Sequence, residues 1–142
     1  MLVVDTSAVL EALVGQPGDE SLRRRLAEDG DLHAPHLIDV EMLHALRRLE
    51  AAKAISTDRA TDARSDFQDL ALVRYPHLGL SDRAWGLRRN FTAYDAMFVA
   101  LAEELEATMI TCDARLAKAA SRLVEVEVYP MPKGRGRRRL GS

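Results

Sequence analysis

The sequence predicts an α/β protein: a parallel sheet flanked by helices, layered as an α/β/α sandwich. Three observations carry this. Leu2-Val3-Val4 is an apolar, partly β-branched run that stops on Asp5, and Met109-Ile110-Thr111-Cys112 repeats the pattern by stopping on Asp113. Apolar runs without alternation suit strands covered on both faces, as in parallel sheets. Each of these runs is followed by a helical stretch, and residues 96–102 are apolar almost all round, which places a helix between other elements rather than on the surface.

Taken in order, Ala8, Val9, Leu10, Ala12, Leu13 and Val14 form a first helix, ended by Gly15, Pro17 and Gly18. A second helix over about 19–28 carries Leu22 and Leu26 on one face and stops at Gly30; residues 31–34 suit a short strand. After Pro35 a long helix is expected over roughly 37–55, with Ile38, Met42, Ala45, Leu46 and Leu49 as its apolar stripe. Residues 57–75 read as another amphipathic helix capped by Ser56 or Thr57, with Phe67, Leu70 and Ala71 inward. A short helix over 80–87 holds Trp85, taken as a packing residue. Residues 91–107 make the strongest helix, with Thr92 and Asp95 spaced as a capping box. The helix of 114–120 follows Asp113, and Val124, Val126 and Val128 alternate with Glu125 and Glu127 as a half-buried edge strand over 123–129.

At 142 residues the chain suits one domain over 1–130 plus a basic tail over 131–142. Lys133, Arg135, Arg137, Arg138 and Arg139 lie in that tail, so the preceding part holds 15 basic against 22 acidic residues, a balance of −7. An acidic body is a poor broad grip for nucleic acid and a good cage for a cation. The single cysteine rules out an internal disulfide and fits a reducing cytoplasm. No signal peptide or membrane-length apolar stretch is present, so a cytoplasmic location is expected.

Four acids stand out. Asp5 and Asp113 sit at strand ends, Asp95 opens the buried helix, and Glu41 interrupts the apolar stripe of its helix. Each has an ordinary alternative: Asp5, Asp95 and Asp113 as helix caps, Glu41 as a stripe-edge charge reaching water or pairing with Arg48. In a doubly wound sheet, however, all four converge, and close carboxylates repel by several kcal/mol unless a cation neutralises them (about 4 kcal/mol per pair at 4 Å near a surface). Carboxylates without a His or Cys partner suit Mg²⁺ or Mn²⁺. His33, His36, His44 and His77 show no zinc spacing, and no phosphate-binding glycine loop is present. A carboxylate-held Mg²⁺ is equipment for phosphodiester hydrolysis.

Val3-Val4-Asp5-Thr6-Ser7, Val40-Glu41, Thr92-Ala-Tyr-Asp95-Ala and Thr111-Cys-Asp113-Ala-Arg-Leu stand in the order found in the PIN-domain ribonucleases, and the chain resembles in particular the VapC toxins of type II toxin–antitoxin (VapBC) pairs. The resemblance spans about 1–130 and implies a PIN-like parallel-sheet fold. It further implies an endoribonuclease in which Asp5, Glu41, Asp95 and Asp113 form the catalytic pocket, with Asp5, Asp95 and Asp113 on Mg²⁺ or Mn²⁺ and Glu41 acting through water or as proton acceptor. Thr6, Ser7 and Thr111 would orient waters or carboxylates from behind the ligands, and Arg115 would meet RNA phosphate or form a structural ion pair. RNA as substrate, a VapB-type antitoxin covering the pocket and a homodimeric state belong to the same implication. The alternatives are a receiver-like signalling module, which wants a second acid where Thr6 and Ser7 stand, and a PIN-like regulatory module that binds metal without cutting. Arg23, Arg24, Arg25, Arg88 and Arg89 are candidate RNA contacts or solvated helix charges.

Overall fold

The structure, a computed structural model, describes residues 1–15 and 20–130; the predicted break at Pro17 and Gly18, the start of the second helix and the basic tail lie outside them. Five strands form one sheet: β1 (Leu2–Val4), β2 (Leu32–Pro35), β3 (Leu72–Tyr75), β4 (Thr108–Thr111) and β5 (Val126–Val128). Their order is β3-β2-β1-β4-β5, and every pairing is parallel. The helices are α1 (Thr6–Val14), α2 (Ser21–Asp29), α3 (Leu37–Ala51), α4 (Thr57–Asp69), α5 (Ser81–Gly86), α6 (Ala93–Leu105) and α7 (Ala114–Ala120), with a 3₁₀ turn at Leu78–Leu80.

The chain winds outward from the centre in both directions, so the right-handed rule for parallel crossovers puts α1 to α4 on one face and α5 to α7 on the other. Packing agrees: α1 meets α3 and α4, while α6 lies against β1, β2 and β4. The central strand β1 has Leu2, Val3 and Val4 all buried, as a strand covered on both faces requires. Ala96, Val99 and Ala102 of α6 are fully shielded, and Phe98 and Leu101 nearly so. Small residues on this helix let its backbone approach the sheet, and Phe98 fills the remaining space.

The sharpest departure from the sequence reading lies at residues 57–75. The helix stops at Asp69, Leu70 turns extended (φ −67°, ψ 128°), and Leu72–Tyr75 becomes the edge strand β3. Asp66 and Asp69 sit at the negative end of the helix dipole, where acids discourage a further turn. The strand gains backbone bonds to β2 and an anchor in which Arg74 Nε donates to both Asp39 carboxylate oxygens at 2.9 Å. Ala71 is consequently exposed rather than inward. Similarly, α3 ends at Ala51 instead of continuing to 55, because the chain reverses through Lys53 at φ 58°. The last strand is trimmed to Val126–Val128 and occupies the expected sheet edge.

Arg23 and Arg25, which the sequence leaves open as RNA contacts, are structural, and Arg59 assists the first of them. Arg23 Nε donates to Ala12 O at 2.7 Å and its Nη2 to Gly15 O at 3.2 Å, while Arg59 Nη2 reaches Val14 O at 3.2 Å. Together they satisfy carbonyls at the C-terminus of α1 that have no helical partner. Gly15 is required there, since a Cβ would collide with Glu11 O. Arg25 pairs with Glu127 at 2.9 Å and ties α2 to β5.

Candidate metal centre

The winding direction reverses between β1 and β4, and the carboxyl ends of strands at such a switch point form a natural crevice. Asp5 follows β1 there in an extended conformation (φ −87°, ψ 171°) and caps α1: its Oδ1 accepts Ala8 N–H at 2.9 Å. The cap is only part of its role. Ser7 Oγ donates to the same oxygen at 2.7 Å, and Thr111 Oγ1 donates to Oδ2 at 2.5 Å. Asp5 is 5% exposed, and burial pushes its carboxyl up to about 6 against the three bonds that favour the charged form, with the Asp95 charge adding to the rise.

Two hydroxyls link the two strand ends. Thr111 Oγ1, while donating to Asp5, accepts Asp113 N–H at 3.0 Å, and Ser7 Oγ accepts Cys112 N–H at 2.9 Å. Asp113 Oδ1 in turn accepts Arg115 N–H at 3.0 Å and Leu116 N–H at 3.1 Å, capping α7. The Asp113 side chain is exposed beside the crevice, and its charge raises the carboxyl of Asp95, second to burial. Asp95 stands in the first turn of α6, where Thr92 Oγ1 accepts its backbone N–H at 3.1 Å and the Thr92 hydroxyl also steadies its carboxylate. Of the predicted capping box, the bond from the Asp95 N–H to the Thr92 hydroxyl is therefore present.

Glu41 enters from α3. It is half-buried between Ile38 and Ala45, and Thr6 Oγ1 donates to its Oε1 at 2.8 Å; the Arg48 partner allowed by the sequence is not used. Burial raises its carboxyl most, the Thr6 bond opposes this, and Asp95 and Asp5 add to the rise. Asp5, Glu41 and Asp95 thus each feel the charge of at least one other acid of the four. Among the described residues, no three His, Cys, Asp or Glu side chains close around a common point. The donors are nevertheless all oxygen and mutually repelling, and a small hard cation that retains several of its waters suits such a set. Cys112 plays no nucleophilic part: burial, then the charges of Asp5 and Glu11, push its thiol up to about 12. Arg115 is exposed and, among the described residues, forms no ion pair.

Residues 2–122 match the PIN domain family model. Among characterised relatives, the VapC ribonuclease Mb0985 of Mycobacterium bovis is 38% identical over 130 residues, covering 92% of this chain and 99% of its own. Ribonuclease VapC1 of Mycobacterium tuberculosis is 40% identical over 127 residues, covering 89% and 96%. This chain belongs to the PIN-domain family, among the VapC ribonucleases. The fold of this PIN domain is shared with a chain of VapBC2 from Rickettsia felis (TM-score 0.67, 13% identity, 90% of this chain and 98% of that one). PAE2754 from Pyrobaculum aerophilum is similar in fold as well (TM-score 0.64, 21% identity, 87% and 89%).

The sequence misjudges one residue of this PIN domain. Trp85 does not pack: it is 68% exposed on α5, with the Arg88 guanidinium 4.4 Å from its ring centre. Arg88 lies in the turn after α5, where its N–H donates to Trp85 O at 3.2 Å and brings the guanidinium back over the ring.

Proposed function

We propose that this PIN domain is the toxin of a type II toxin–antitoxin pair and cuts RNA as an endoribonuclease dependent on Mg²⁺, with Mn²⁺ as a substitute. The observation that carries the reading is the mutual repulsion of Asp5, Glu41 and Asp95 beside the switch point of the sheet, with Asp113 acting on Asp95, supported by the ribonuclease names of relatives at 38% and 40% identity. Asp5, Asp95 and Asp113 would hold the ion, which when bound supplies Lewis acidity for water and for the scissile phosphate. Thr111 and Ser7 fix the Asp5 carboxylate through its two oxygens. Thr6 occupies Oε1 of Glu41, leaving Oε2 to accept a proton from the attacking water, and burial makes this carboxylate a stronger base than a free one. Thr6, Ser7 and Thr111 act as positioning residues, and Arg115, with no carboxylate partner, meets RNA phosphate.

The partner in this reading is a VapB-type antitoxin whose segment covers the acids, bordered by the exposed Val40 and Leu43 of α3 on either side of Glu41 in sequence. The toxin itself is read as a cytoplasmic homodimer. Among the described residues, no helix is long and apolar enough to cross a membrane. A receiver-like module has no second acid at Thr6 or Ser7, and no required ligand is missing that would favour a non-cutting domain.

The test is incubation of the purified chain, free of antitoxin, with total RNA and Mg²⁺ or Mn²⁺, followed by mapping of new 5′ ends. Discrete cuts are expected, and they should vanish with EDTA and with Asp5→Asn or Asp95→Asn. A folded preparation that binds Mg²⁺ yet leaves RNA uncut would overturn the reading.

A further inference from the structure

The acids account for cutting but not for holding the strand, since this part of the molecule is predominantly negative. Among the described residues two arginines lie over aromatic rings, Arg74 over the buried Phe67 and Arg88 over the exposed Trp85. Trp85 leaves most of its indole to solvent, and Arg88 is fixed over it, with its Nη1 donating to Trp85 O at 2.9 Å and its guanidinium 4.4 Å from the ring centre. Among the described residues, neither Arg88 nor its neighbour Arg89 forms an ion pair. Most other arginines with described side-chain bonds are committed to carboxylates or helix carbonyls, as Arg23, Arg25, Arg59, Arg74 and Arg83 are.

The pair also lies close to the site along the chain. Arg88 N bonds Trp85 O and Phe91 N bonds Leu87 O, so the chain turns tightly from α5 into the start of α6, where Asp95 stands. Arg88 and Asp95 are seven residues apart, which caps their separation at roughly 25 Å even for an extended chain, and these turns shorten it. Tyr94, directly before Asp95, is 59% exposed and adds a second open ring beside the acids.

We propose that Trp85 and Arg88 form a stacking platform for one base of single-stranded RNA flanking the cut, Arg88 and Arg89 meeting the adjoining phosphates; this rests on the ribonuclease reading above. A base has a flat face for the indole and a phosphate for the unpaired guanidinium, so the two chemistries match together. A second protein chain would match the ring but leave two cations without partners. The pre-ordered guanidinium also reduces the freedom lost when the strand docks.

Trp85 is the only tryptophan in the chain, so its own fluorescence reports the contact. The experiment titrates the full-length Asp95→Asn protein, in EDTA, with a mixed-sequence single-stranded RNA dodecamer and with an abasic strand of equal length. Base stacking should quench the tryptophan with the RNA and not with the abasic strand. By anisotropy of labelled RNA, Trp85→Ala should bind about tenfold or more weakly and Trp85→Phe close to the parent, with circular dichroism confirming the fold of each. In the cleaving background, Trp85→Ala should raise KM more than it lowers kcat. RNA binding without quenching, or an unchanged affinity in Trp85→Ala, overturns the platform. So does a Trp85→Ala protein that changes its sedimentation while binding RNA normally, which would make the ring a protein interface. If the parent cuts RNA while the variant matches it, the platform falls and the nuclease stands; if the parent neither cuts nor binds RNA, both fall.

Discussion

At the scale of the residue, Asp5 combines three tasks that pull against one another: capping α1, receiving two hydroxyls and keeping a buried charge near other acids. Its carboxyl is raised from 3.8 to about 6, so between those pH values the folded state holds a proton that the unfolded chain has released. Stability from this group is therefore complete below 3.8, falls as pH rises through 6, and is lost above it; the shift of about two units corresponds to at most about 3 kcal/mol. Urea unfolding of metal-free protein should show a penalty at pH 7.5 relative to pH 5 that Asp5→Asn largely removes, while the same substitution abolishes cleavage. An identical pH difference in parent and variant would contradict this assignment. Thr111→Val should cost about 1–3 kcal/mol and most of the activity, because it strips a hydroxyl from Asp5 and an acceptor from Asp113 N–H. Thr111→Ser should restore much of both. The carboxylates were legible in the sequence because they interrupt apolar patterns; Thr6, Ser7 and Thr111 were expected as their supports only through the family resemblance, since a Thr inside a strand and a Ser in a helix break no pattern, and which oxygen each hydroxyl holds is decided by the fold.

At the scale of the element, α6 shows how composition becomes position. Its apolar surface and small residues let it lie against three strands of the sheet, and Asp95 in its first turn is thereby carried to the strand ends. Phe98→Ala should destabilise the protein by about 3–5 kcal/mol in denaturant unfolding, the cost of a cavity beneath a helix that is itself buried. A loss under 1 kcal/mol would mean that the surroundings collapse into the space. The strands β1 and β4 were readable because burial on both faces writes an unbroken apolar run. The strand β3 was not, because its half-exposed Leu-Val-Arg-Tyr continues smoothly from the amphipathic helix before it, and only pairing with β2 decides its conformation. Trp85 was misread for a related reason: sequence weighs a large aromatic as core, whereas a six-residue helix has room to bury only one face.

At the scale of the whole molecule, the proposed metal centre would couple stability to cation binding. A divalent ion held as proposed by Asp5, Asp95 and Asp113 would bind the folded state alone, so Mg²⁺ should raise the melting temperature, more at pH 7.5 than at pH 5 because protonated carboxyls cannot ligate. Calorimetry of the parent and of an Asp5→Asn, Asp95→Asn double variant tests this; an equal rise in both would place the ion elsewhere. The sheet order has a further consequence, one of time. The Asp5 carboxylate and the Thr111 hydroxyl that orients it are 106 residues apart. A ribosome adding roughly 5–20 residues per second needs on the order of ten seconds to deliver the second after the first. Throughout that interval the nascent chain carries its central strand without its inner neighbour β4 and its leading acid without its support. Until residue 111 has been added, Asp5 lacks the hydroxyl that orients it and the site is incomplete.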